Sequence, residues 1–249
     1  MHISTVFNNM HTASQKLYKA ASAYNKAKKD LAKRFTSNLD MSVKDERKIR
    51  GQIEAFRKTE SAKYYKGERS KLAGQSDTAF RQAALEFKAA SENLAEAVAA
   101  FQPAFSVNDK DLQNALNIAR IGKDLPENAA RNLLLLFRTN KANFDIVKSA
   151  LLRNGTNPDY LSGIYPFDGE SMQFDYDFLV DEVLNRSLDP TVYNELSKLE
   201  ARLISDSAAF GVNLSPIVSQ EDKEAANNEG IRRVMGLTSF DDAAALDAL

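Results

Sequence analysis

Residues 3–35 read ISTVFNNMHTASQKLYKAASAYNKAKKDLAKRF. Within that stretch Ile3, Phe7, Met10, Ser14, Leu17, Ala21, Tyr24, Lys28, Leu31 and Phe35 recur at alternating steps of four and three. Seven residues make nearly two helical turns, so this spacing keeps one stripe of an α-helix facing a partner helix. A second run, Phe80, Ala84, Phe87, Ser91, Leu94, Val98 and Phe101, has the same period. A helix over 4–37 would be about 50 Å long. The expected fold class is therefore all-α, beginning with an elongated three-helix bundle or coiled-coil unit.

Working outward from that helix, Ser42 with Asp45 three residues on predicts the start of a second helix carrying Ile49, Ile53 and Phe56 on one face. Beyond Phe56 the stripe thins into Glu60, Lys63 and Gly67, which predicts a solvated end. Gly74, Gln75 and Ser76 predict a break before an alanine-rich third helix that stops short of Pro103. Shorter helices are expected at about 108–121, 126–138, 141–153, 174–187 and 190–209, punctuated by Pro126, Asn154–Gly155 and Pro190. Leu133 to Phe137 are apolar on all sides, which predicts a central helix. Between Tyr160 and Phe178, Gly163, Pro166 and Gly169 predict a loop whose aromatics either plug the bundle end or form an acidic, aromatic contact surface. The polar stretch 219–229 reads as a linker.

This gives three expected segments: 1–102, a basic long-helix bundle; 103–215, a compact acidic helical domain; and 216–249, a flexible tail with short docking helices. The charge pattern follows the same order. Residues 1–72 hold 17 Lys and Arg against 7 Asp and Glu, whereas no basic residue lies between Arg153 and Arg186. Yet the whole chain nets -1, so a basic end is balanced by an acidic remainder.

Inventory removes much chemistry. Cysteine is absent, which excludes disulfides, thiolate metal sites and cysteine nucleophiles. His2 and His11 are too few for a histidine metal site. Asp168, Glu170, Asp175, Asp177 and Asp181 have an oxygen-rich composition but not the EF-hand spacing. No phosphate-binding loop, dinucleotide fingerprint or nucleophile elbow occurs. No catalytic residue, metal or cofactor is assigned. Leu133 to Phe137 is as long as any apolar run, far below the roughly 20 residues of a membrane span. The N-terminus has no signal core, and the expected location is the cytoplasm or a virion assembled there.

Three surfaces remain as candidates. Phe7, Leu17, Tyr24, Leu31 and Phe35 are expected to mediate self-association. Ile231, Val234, Met235, Leu237, Phe240, Leu246 and Leu249 keep the apolar spacing of a docking peptide. Lys28, Lys29, Lys33, Arg34, Arg47, Lys48 and Arg50 are placed to contact phosphates. The expected function is a non-enzymatic helical structural or assembly protein that oligomerises, or docks onto other protein subunits in a larger complex such as a phage or viral particle. The alternative is a nucleic-acid-associated or regulatory binding protein using the basic helices.

Overall fold

A computed structural model describes residues 1–36, 46–101, 110–189 and 191–234. It is all-α, with no strand among the described residues. The helices are α1 (Ile3–Thr36), α2 (Glu46–Arg57), α3 (Glu60–Ser91), α4 (Leu94–Ala100), α5 (Lys110–Ala119), α6 (Glu127–Leu135), α7 (Lys141–Arg153), α8 (Gly169–Asn185), α9 (Val192–Ala209) and α10 (Gln220–Val234). Short 3-10 turns cover Gly122–Asp124 and Pro158–Leu161.

Spatial contacts gather the chain into two compact units. Of the described residues, the first contains those within Met1–Asn8, Ala90–Tyr176 and Ser205–Leu214, and the second those within Asn9–Ala89 and Asp177–Ile204 and from Ser215 to residue 234. The sequence-contiguous segments 1–102, 103–215 and 216–249 cut across this grouping. Helices with apolar stripes along their whole length bury different turns against different neighbours, which chain order alone does not specify.

In the first unit α5, α6 and α7 close over Leu112, Ala115, Leu125, Leu134, Phe137, Phe144, Val147 and Leu151. Leu133, Leu134 and Phe137 face this core, but Leu135 and Leu136 are exposed. The helix does line the core, but α6 ends at Leu135 where 138 was expected, and Leu135 and Leu136 in the middle of the run emerge at the surface while Phe137 turns back inward. The turn after α5 depends on Gly122, whose φ is +65° and whose place a Cβ could not share, 1.9 Å from the Asn154 carbonyl oxygen. A second focus is Phe210, with the rings of Phe7, Phe101 and Phe167 at 5.6, 5.0 and 5.1 Å.

In the second unit Met10, Leu17, Ala21, Tyr24, Phe80, Ala84, Phe87, Val180, Val183, Leu196 and Leu199 are buried. Ala62 and Tyr65 are buried too, with Ala32, Tyr65, Leu31 and Phe56 in one cluster, so the start of α3 is committed to a core where a solvated end was expected. The helix break also lies elsewhere than expected. Thr59 accepts from the Ala62 amide at 3.2 Å and starts α3, which then runs unbroken through Gly74. A glycine in an exposed helix interior costs only about 1 kcal/mol relative to alanine, too little to stop a packed helix. Conversely, the alanine-rich helix is interrupted between Ser91 and Leu94. Ser42 and Asp45, the expected cap of α2, lie outside the described residues.

The stretch 219–229, expected to be a linker, is helix from Gln220 onward. Ser219 accepts from the Asp222 amide at 3.1 Å and donates to its carboxylate at 2.8 Å, a reciprocal cap that begins α10. The start of α10 is held within the second unit. Tyr18 donates to Asp222 at 2.6 Å, Lys223 donates to buried Glu200 at 2.7 Å, and Glu200 also accepts from the Ile217 and Val218 amides. Val218 and Ala226 are buried. The polar sequence reads as a linker because its anchoring is by hydrogen bonds rather than by an apolar stripe.

Candidate functional site

The most distinctive surface is built on α8, GESMQFDYDFLVDEVLN. Asp168 starts the helix by accepting from the Ser171 amide at 3.1 Å and the Ser171 hydroxyl at 2.5 Å. Those hydrogen bonds, the hydroxyl's first, hold the Asp168 carboxyl below the ordinary aspartate range, with a smaller contribution from the Lys141 charge. An aspartate cap outweighs the loop tendency of Gly169, so the segment expected to be loop through Phe178 is helical from residue 169.

Helical periodicity then sorts the side chains of α8. Met172, Tyr176, Val180 and Val183 are buried, and the Tyr176 hydroxyl donates to buried Asp206 at 3.0 Å. On the opposite side Ser171, Phe174, Phe178, Asp181 and Asn185 are exposed. Phe174 is 73% and Phe178 58% exposed, one turn apart. The helix carries Glu170, Asp175, Asp177, Asp181 and Glu182 and no lysine or arginine. Asp181 accepts from Lys88 at 2.8 Å at the surface. Phe167 and Tyr176 pack internally, whereas Tyr165, Phe174 and Phe178 face outward.

Two clefts among the described residues mix charged and apolar side chains. One of about 440 Å³ lies between α4 and the start of α8, lined by Glu96, Phe101, Lys141, Phe167, Asp168 and Glu170 among others. Arg138 covers Phe167 at 4.1 Å, and Asp168 is already engaged as a cap. The other, about 310 Å³, lies between α1 and α3 and mixes Asp30 and Glu68 with Arg34 and Lys71. Among the described residues no three His, Asp or Glu side chains converge as metal ligands. Neither cleft brings together a nucleophile, a base and an orienting group.

The structure disperses the residues singled out in the sequence. Phe7, Leu17 and Tyr24 are buried within their own chain, and Leu31 is half-buried beside Ala32 and Tyr65. This corrects the expectation that they await another copy: their stripe is already covered intramolecularly. The Phe35 side chain lies outside the described residues. Of the phosphate candidates, Lys28 is buried and so unavailable, while Lys29, Lys33 and Arg34 are exposed at the end of α1. Arg47, Lys48 and Arg50 are on α2 and Ile231 and Val234 on α10, but their side chains fall outside the described residues. Met235, Leu237, Phe240, Leu246 and Leu249 lie outside them altogether. Phe174 and Phe178 belong to the aromatic segment read in the sequence as a plug or a contact surface, but read as loop that segment hides their four-residue step on one helix face, which follows from the helix start at Asp168. Among the described residues no helix is long and apolar enough to cross a membrane. No protein-family model, curated protein or solved structure matches the chain.

Proposed function

We propose that this chain is a non-enzymatic helical structural protein that assembles with copies of itself or docks onto a larger protein complex. The observation carrying this reading is the exposed pair Phe174 and Phe178 on one face of α8, on a helix whose other face is already buried. Scattered exposed apolar residues are ordinary, but two neighbouring phenylalanines at these exposures form a patch that association would cover. The clefts supply no catalytic constellation that competes with this reading. A nucleic-acid role is the weaker alternative, because Lys28 is buried and Asp30 and Glu68 share the cleft of Arg34 and Lys71.

Light scattering and sedimentation of the full chain test the proposal. At about 100 µM protein in low salt, species at multiples of 27.6 kDa are expected, growing with concentration. A protein that stays monomeric and also captures no protein partner refutes it.

A further inference from the structure

We infer that the acidic, aromatic face of α8 docks on the basic start of α3 in a second copy of the chain, giving a head-to-tail interface. The inference rests on the assembly reading and names its partner. On α8 the pair Phe174 and Phe178 is framed by Glu170 one turn before and by Asp181 and Glu182 after. On α3, Lys63, Lys66 and Lys71 are exposed around Tyr64, which is 64% exposed. In the same surface Gly67 meets nothing within 4 Å of where a Cβ would stand, leaving bare backbone on which an incoming ring can lie. Lysine ammonium groups set against phenylalanine faces and carboxylates at the rim combine cation–π with charge attraction. Lys63 pairs with exposed Glu60 at 2.6 Å, a surface contact that exchanges readily for another carboxylate.

Two arguments select a second copy in this orientation. First, α8 against α8 would set Glu170, Asp181 and Glu182 against their own like charges, which disfavours a two-fold symmetric pairing. The complement is present in the same sequence, since residues 1–72 hold 17 basic against 7 acidic residues. Second, one chain cannot close the contact on itself. Lys88 reaches Asp181, beside Phe178, at 2.8 Å, and about 33 Å of α3 separates Lys88 from Lys66 at 1.5 Å per residue. A heterologous contact of this kind propagates into rings or filaments.

The test uses two full-length variants, Phe174→Ser with Phe178→Ser, and Lys63→Glu with Lys66→Glu. All four positions are exposed, and unchanged circular dichroism confirms that each variant folds. Each variant alone is expected to lose association at least roughly tenfold. Wild-type association should weaken by a similar factor between about 0.05 and 0.5 M NaCl as screening shortens. Mixing the two variants should give a one-to-one dimer and nothing larger, because each supplies the face the other lacks. A mixture that remains monomeric, or a Phe174→Ser, Phe178→Ser protein that assembles as strongly as wild type, overturns the interface while leaving self-assembly standing. A wild-type protein that is monomeric under all these conditions overturns both.

Discussion

Replacing Gly169 with alanine should destabilise the first unit, although the same change stabilises most helices. Gly169 is the first residue of α8, and α4 crosses it closely. A Cβ at this position would stand 2.4 Å from the Ala95 Cα and 3.0 Å from both the Ala95 nitrogen and oxygen. Carbon atoms pack favourably at about 3.5–4.0 Å, so α4 would have to retreat by about 1 Å. Every atom met is backbone, so no rotamer change relieves the clash, and α4 carries buried Leu94 and Ala97 with it. Overpacking of this kind costs about 1–3 kcal/mol. Gly67 and Gly74 provide internal controls, since both lie within α3 and meet nothing within 4 Å. There alanine should stabilise, by up to about 1 kcal/mol each. Urea unfolding followed by circular dichroism measures all three, and native-state hydrogen exchange at α4 and α8 amides localises the loss. If Gly169→Ala costs less than about 0.5 kcal/mol, or shifts stability in the same direction as Gly67→Ala, the close-approach argument is wrong.

Two further outcomes concern α10 and α8. Glu200→Ala leaves the Ile217 and Val218 amides without their carboxylate acceptor and should cost about 2–4 kcal/mol, with faster hydrogen exchange across residues 217–226; Glu200→Gln, which keeps an acceptor oxygen, should cost clearly less. If both variants exchange like wild type, the buried carboxylate does not hold the start of α10. Asp168 has a folded pKa below its unfolded one, so its stabilisation is present above the ordinary aspartate value and is lost as pH falls through the lower folded value. The wild-type advantage over Asp168→Ala, about 1 kcal/mol for a helix cap, should therefore be constant from about pH 6 to 8 and shrink below about pH 4. An advantage that grows on acidification contradicts the assigned hydrogen bonds.

That the chain is helical was legible from the residues alone, because the four-and-three spacing in 3–35 and 80–101 is a local property of consecutive residues and needs no knowledge of the partner. It also placed α7 at 141–153, ending at the Asn154–Gly155 stop, and the structure adds the Asn140 side chain as the cap that starts it. Punctuation was less legible where competing signals met. At Gly74 the cost of a helical glycine, about 1 kcal/mol, was too small to break the helix, while at Asp168 and Ser219 the cap side chains outweighed the loop-like composition that followed. Which apolar stripe is already covered emerges from the folded packing. Phe7, Leu17 and Tyr24 have the same helical spacing as a self-association surface, yet their own chain buries them, while Phe174 and Phe178 remain outside. Periodicity records that a helix has an apolar face, whereas the identity of whatever covers that face depends on contacts between residues distant in sequence, which no local pattern encodes.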